Sequence, residues 1–277
     1  MMMGIIPYFL LVASTLVGTW NGNWFPSGRA EHRAHPDVES ATIRAAGMMF
    51  ASALKRGDPE GTNDVIICVN EVRSPKVAQS LVADVGRKGL RLASCSQYRR
   101  RDRFDQQQDV ILSTLPVVTN GWCRWTNAGP ATSPRGFAWA DLVMNAKTVT
   151  VCAVHLKSNY GGKTTEQKLQ NRLKRETAMK ELLAFLGERP AIIAGDFNTD
   201  PWRKEFMGEQ VFAFAGEAGF ANALSLLPRN LRGTHPSKRY GDSALDHVLT
   251  RGFVLSSPFI EPNEELSDHF ALFVTVE

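Results

Sequence analysis

The residues best able to do chemistry stand in six short clusters: Asn21, Glu71, His155, Asp196 with Asn198, Asp246, and Asp268 with His269. Together they supply three Asp, one Glu, two His and two Asn. Oxygen donors of this kind suit a hard divalent cation such as Mg2+, which takes one or two carboxylates together with water and substrate phosphate oxygens. Hydrolysis of a phosphate ester also needs a group to orient or deprotonate water, and charge stabilisation for the developing oxyanion. The set meets both needs, whereas zinc would ask for more His or Cys at closer spacing. In an extended segment Asp196 and Asn198 project to the same face. One can then act on water while the other donates an amide N–H to a phosphoryl oxygen. Taken singly, each cluster has a plain structural explanation. Gly195-Asp196-Phe197-Asn198 can be an Asx-type turn after a strand, Asp268-His269 a capped loop, Glu71 a solvated strand end and His155 a structural imidazole. Six such explanations at once are much less economical than one shared site.

The elements that must position these residues are legible as apolar runs. Leu16 to Trp20 reads as a buried strand ending at Asn21, and Asp64 to Val69 as a strand delivering Asn70-Glu71. Gly136 to Met144 and Thr148 to Val154 form a hairpin turned around Asn145-Ala146-Lys147, its second arm ending at His155. Ala191 to Ala194 runs into Gly195-Asp196. Leu90 to Ala93, Asp109 to Leu115, Ala244 to Thr250 and Phe270 to Val276 are further strands. Helices are expected from Pro36 to near Gly57, from Pro75 to Val85 and from Thr165 to Leu186, with short ones at Trp202 to Phe206 and Glu209 to Ala218. Hairpins mixed with helical crossovers favour a mixed sheet with helices outside over a purely parallel doubly wound sheet.

Bulk properties narrow the class without naming a function. The 277 residues, 43% hydrophobic and 22% charged, are ordinary for a soluble globular protein. No repeat or linker divides them, so one domain over residues 15–277 is expected, after an apolar leader or signal at 1–14. Residues 4–17 are apolar but too short to span a bilayer. They resemble a secretory signal core, yet no Lys or Arg precedes them. A secreted or periplasmic location is slightly favoured over a cytoplasmic one. Lys and Arg outnumber Asp and Glu by 32 to 28, a net charge of +4 that is compatible with a polyanionic substrate without establishing one. Cys68, Cys95, Cys123 and Cys152 contain no C-x-x-C pair, which argues against a zinc ribbon or thioredoxin-like centre; a Cys95–Cys123 disulfide stays open.

The motifs, read together, resemble the endonuclease/exonuclease/phosphatase superfamily, the DNase I-like proteins. The matching runs are Thr19-Trp20-Asn21, Asp64 through Val72, Val154-His155-Leu156-Lys157-Ser158-Asn159, Gly195-Asp196-Phe197-Asn198, Leu245-Asp246-His247 and Ser267-Asp268-His269. They stand in the family's order and span nearly the whole chain. The resemblance implies an α/β (α+β) four-layer sandwich, two mixed β-sheets face to face with helices outside. It implies Glu71 as principal metal ligand with Asn21 beside it, and Asp268 as a second carboxylate near the metal. His269 is implied as a base or charge stabiliser at the phosphate, oriented by Asp246, since a carboxylate fixes an imidazole's tautomer and raises its basicity. Asp196 would orient or deprotonate water, Asn198 would stabilise the transition state, and His155 is a candidate acid for the leaving oxygen. The cofactor implied is Mg2+, with Mn2+ or Ca2+ as alternatives.

Two positions depart from the pattern. Asn70 stands where Gln is usual before the metal-binding Glu. Gln106-Gln107-Gln108 occupies the stretch that pairs a Glu with the second histidine, so a neutral amide would meet His155. For substrate, Tyr98-Arg99-Arg100-Arg101-Asp102-Arg103 and Thr234 through Tyr240 read as basic loops mixed with tyrosine that could grip a nucleic-acid backbone. Arg100 and Arg101, with Arg175 from the long helix, are the candidate substrate-binding residues. The expected protein is therefore a monomeric metal-dependent phosphodiester hydrolase, a nuclease first and a phosphatase or phospholipid phosphodiesterase second. The complete residue set argues against a binding module that has lost catalysis.

Overall fold

A computed structural model of the chain describes residues 13–28, 35–100, 103–104, 107–126, 135–159, 162–238 and 241–277. The first half runs β1 (Thr15–Phe25), α1 (Pro36–Gly57), β2 (Asp64–Val72), α2 (Pro75–Val85), β3 (Arg91–Cys95), β4 (Arg99–Arg100), β5 (Arg103–Phe104), β6 (Gln108–Ser113) and β7 (Val117–Arg124). The second runs β8 (Gly136–Met144), β9 (Lys147–His155), α3 (Thr165–Leu186), β10 (Ala191–Asp196), α4 (Val211–Glu217), β11 (Ala221–Asn222), β12 (Asp246–Arg251), β13 (Leu255–Glu261) and β14 (Ala271–Val276). Two six-stranded sheets form, in the orders β13-β14-β1-β2-β6-β3 and β11-β12-β10-β9-β8-β7.

Period-2 alternation explains the layering. Ile66 and Cys68 of β2 face the other sheet, meeting Val151 and Ala153 of β9 in the central core. Val65, Ile67 and Val69 turn the other way, onto Phe50 and Leu54 of α1 and Leu81 of α2. On the far side Cys152 and Val154 of β9 pack on Met179 and Leu182 of α3 and Val211 of α4. The result is helices, sheet, sheet, helices, the four-layer sandwich with mixed sheets that the motifs imply. Each parallel pair, β1 with β2 and β9 with β10, has a helix of 22 residues between its strands, α1 and α3 respectively, as right-sized crossovers require.

Several sequence readings change. The expected loop from Tyr98 to Arg103 contains a two-stranded ribbon, β4 paired with β5. Strands β7 and β13 have no counterpart in the apolar runs, because both lie at sheet edges and are largely unburied. Pro258 sits within β13, a position that an edge strand tolerates. All four cysteines are free thiols, so Cys95 and Cys123 are not joined.

Candidate active site at one edge of the sandwich

Strand direction and register bring the clusters to one edge. Asn21 lies opposite Asn70 across parallel β1 and β2, and His155 lies opposite Asp196 across parallel β9 and β10. Both pairs stand at the C-terminal ends of their strands. Antiparallel β12 begins at that edge, with Asp246 opposite Asp196. Antiparallel β14 begins there too, placing His269 just before Ala271. The turn carrying His269 is pinned to β1: Ser267 Oγ donates to Asn21 O (2.7 Å), and Trp20 Nε1 donates to His269 O (3.1 Å).

Glu71 is aimed by irregular backbone. Its φ is +62°, and the register of β2 shifts against both neighbours around it, the arrangement by which a bulge redirects a side chain. Its Oε2 accepts from Trp24 N (3.0 Å) and from Gln107 Nε2 (2.6 Å). Arg135 donates to the Gln107 carbonyl oxygen and so fixes which end of that amide faces Glu71. Of the Gln stretch expected to meet His155, Gln107 serves Glu71 and Gln108 accepts from Ser96 and Tyr98, while Gln106 lies outside the described residues.

Asp196 is the hub. Its Oδ2 accepts from Asn21 Nδ2 (2.9 Å) and lies 3.5 Å from His155 Nε2 and 3.9 Å from His269 Nε2. Its Oδ1 accepts from Asn198 N at 2.7 Å, while Asn198 has a φ of +51°. The chain therefore leaves β10 at Asp196 in an Asx-type turn through Phe197 to Asn198, and Asn198 reaches the edge by the turn itself and not by extended chain. The Asn198 side-chain amide donates one N–H to Leu156 O (3.2 Å). Gly195 is demanded by contact: a Cβ there would lie 1.9 Å from Val154 O, at a φ of +148°. Behind the hub, Asn70 accepts from Asp196 N and donates to buried Asp109, which also accepts from Tyr98 Oη.

Electrostatics divide the roles. Burial pushes the Asp196 carboxyl up to about 7; His269 and Asn21 oppose the rise and Asp246 adds to it. Burial alone would lower His269, but the charge of Asp246 and its hydrogen bond to Nδ1 (2.7 Å), with Asp196 and Asp268 behind them, bring it up to about 10. His155 is held well below its ordinary value by burial, reinforced by Arg135, His269 and Lys157. Its Nδ1 is buried without a hydrogen-bond partner among the described residues, 3.7 Å from Glu71 Oε1. A neutral His155 has an N–H to offer but no spare proton, which weighs against its expected role as an acid. Asp246 Oδ1 is likewise buried without a partner.

Glu71 Oε1 has no hydrogen bond among the described residues, so it is an oxygen donor open to a hard divalent cation, while Asn21 Oδ1 accepts from Asn23 N (3.0 Å). The Asp268 side chain is exposed and lies 3.8 Å from His235 Nε2. Among the described residues two groups offer three ligand atoms within 4.8 Å of one another, Asp196–Asp246–His269 and His235–Asp268–His269, and neither includes Glu71. Of the substrate candidates, Arg175 is corrected. It is 1% exposed, and every guanidinium nitrogen is engaged, by Glu209, Lys157 O and Asn159 Oδ1. Arg100 belongs to the ribbon strand β4, and Arg101 lies outside the described residues. Sequence reasoning missed Arg135, Asp109 and His235. Arg135 lies in a polar stretch with no local pattern and His235 in a loop read for its basic residues and not for its imidazole, while Asp109, a carboxylate opening an apolar strand, was a readable signal.

The sequence matches the model of the Endonuclease/Exonuclease/phosphatase family over residues 18–269, and the chain belongs to that family. Its class is that of the phosphoric ester hydrolases, whose members generally use divalent metal ions. Among solved structures it is similar to an endonuclease/exonuclease/phosphatase from Beutenbergia cavernae (TM-score 0.66, 17% identity, 96% of this chain and 72% of that one). It is also similar to sphingomyelinase C from Streptomyces griseocarneus (0.59, 17%, 95% and 99%) and to truncated TDP2 from Caenorhabditis elegans (0.58, 16%, 95% and 97%). A comparison with curated proteins finds no significant match.

Proposed function

We propose that the protein is a divalent-metal-dependent phosphodiester hydrolase acting on nucleic acid, with Mg2+ as its ion and Mn2+ or Ca2+ as alternatives. The observation that carries the nucleic-acid reading is the anchoring of the arginine ribbon. The residue before β4, Tyr98, bonds to Asp109 in the network behind Asp196; shortly after β5, Gln107 bonds to Glu71. Arg99, Arg100 and Arg103 thus belong to a ribbon whose backbone is tied at both feet to the site, and a basic segment so placed suits a phosphate backbone as substrate.

Asp196, with a carboxyl near 7, is poised to take a proton from water at neutral pH. His269, held charged by Asp246, supplies a cation to the phosphoryl oxygens and not a base. Neutral His155 and the second amide N–H of Asn198 act as hydrogen-bond donors to the same oxygens. A hard ion at Glu71 would neutralise phosphate charge. The test is nicking of supercoiled plasmid and cleavage of RNA with Mg2+ or with EDTA, for the native chain, Glu71→Ala and His269→Ala. Metal-dependent cleavage falling roughly 100-fold or more in either variant supports the proposal. Failure to cut DNA or RNA, alongside hydrolysis of sphingomyelin or release of phosphate from inositol phosphates, moves the assignment to those substrates.

A further inference from the structure

We propose that His235, Asp268 and His269 form a second metal site, one for a zinc-like transition-metal dication and distinct from the hard-cation position at Glu71. Two imidazoles and one carboxylate are the donor set that borderline ions prefer, whereas Glu71 and Asn21 offer oxygen alone. His235 Nε2 lies 3.8 Å from Asp268 Oδ2, the two rings stand edge to face with centroids 4.8 Å apart, and all three ligand atoms fall within 4.8 Å. Ligands about 2.0–2.2 Å from a tetrahedral ion are separated by roughly 3.4 Å. Small side-chain rotations therefore close the site, and the exposed carboxylate of Asp268 is free to make them.

An independent feature points to a ligand at this place. His269 is 93% buried, since only 7% of it is exposed. Its Nδ1 is committed to Asp246 at 2.7 Å, while its Nε2 makes no hydrogen bond among the described residues. A carboxylate behind one imidazole nitrogen, with the other left without a hydrogen bond, is the support that metal-ligating histidines use. The backbone is held on both sides as well. His235 exchanges hydrogen bonds with Ser243, and Phe270 N donates to Thr234 O, joining the two ligand-bearing turns one residue from the ligands. The partly exposed faces of His235 and Asp268 leave an entry path and room for a fourth, water ligand. An ion here takes the Nε2 of His269, so zinc inhibits hydrolysis. That consequence rests on the role proposed above for His269, but the binding site does not.

The test is calorimetric titration of the full chain with ZnCl2 in the presence of Mg2+. The native protein and Glu71→Gln are expected to bind equally. His235→Ala should bind at least roughly 10- to 100-fold more weakly, the loss that even an outer partner of a ligand causes. Asp268→Asn should weaken binding likewise, so the outcome does not hang on the folding of one variant. Co2+ in place of Zn2+ should give a visible d–d band in the native protein that His235→Ala lacks. Equal binding by native protein, His235→Ala and Asp268→Asn overturns the proposal, as does loss of binding in Glu71→Gln. These readouts need no substrate, so a failure of the nuclease reading leaves them intact. Where hydrolysis is measurable, Zn2+ inhibition should weaken in His235→Ala by the same factor as binding.

Discussion

Replacing Asp246 by Asn preserves shape and removes the charge on which His269 depends. The structure sets the size of the effect. His269 rises from 6.5 to about 10, which at about 1.4 kcal/mol per pH unit is roughly 5 kcal/mol in favour of the charged ring. Asp246, Asp196 and Asp268 share that preference, with Asp246 foremost through charge and hydrogen bond. Removing one partner of a buried pair costs about 3–5 kcal/mol, so Asp246→Asn should lose about 3 kcal/mol when His269 is protonated. The pH dependence gives the sharper check. A raised imidazole pKa contributes stability that is complete below the unfolded value of 6.5 and is lost as pH rises through about 10. The deficit of the variant should therefore be greatest below pH 6.5 and shrink towards pH 10. Urea unfolding of both proteins across this range measures it, and the His269 imidazole resonances followed by NMR give its titration directly. A deficit independent of pH, or a His269 that titrates near 6.5 in the native protein, would refute the reasoning.

Three further outcomes are expected. Burial lifts Asp109 to about 7 against the opposing pull of Arg135, Asn70 and Tyr98. The native state thus holds a proton that the unfolded chain releases from pH 3.8 upward, and this contribution to stability declines as pH rises to about 7. Asp109→Asn should flatten that slope in urea midpoints taken at the two ends of the window. Gln107→Leu removes a donor from Glu71 Oε2 and should raise the Mg2+ concentration for half-maximal cleavage by roughly 10-fold or more, as loss of an outer partner of a ligand does; an unchanged requirement would show that Glu71 needs no such support. Arg175→Leu strands the buried carboxylate of Glu209 and should cost about 3–5 kcal/mol in chemical denaturation, while KM for nucleic acid stays as it was.

Much of the fold was written locally. Helix α2 could be placed at Pro75–Val85 because Ser74 caps its start and Gly86 takes the left-handed conformation at its end. Helix α3 could be placed at Thr165–Leu186 because Thr164 and Gln167 form a capping box and Gly187 follows. Apolar runs ending in Asn, Glu, His or Asp marked the strand ends that carry chemistry. Such signals act within a few residues, so a linear reading captures them. The edge strands β7 and β13 escaped it because their unburied residues carry no alternation.

Which of those strand ends share a site, and in what state of charge, is decided by contacts between distant residues. Asn21 meets Asp196 across 175 positions, and Trp20 holds His269 across 249. Sheet register sets these pairings. Burial then raises Asp196 and holds His155 neutral, and it leaves His269 charged because Asp246, with Asp196 and Asp268, outweighs it. The same distance effects took Arg175 out of contention for substrate, gave Gln107 to Glu71 and brought His235 to Asp268. Residue type and spacing determined what chemistry this chain carries at its strand ends. Tertiary packing alone decided how protons and charges are distributed among those residues, because desolvation and Coulomb interactions depend on distance in space and not along the chain.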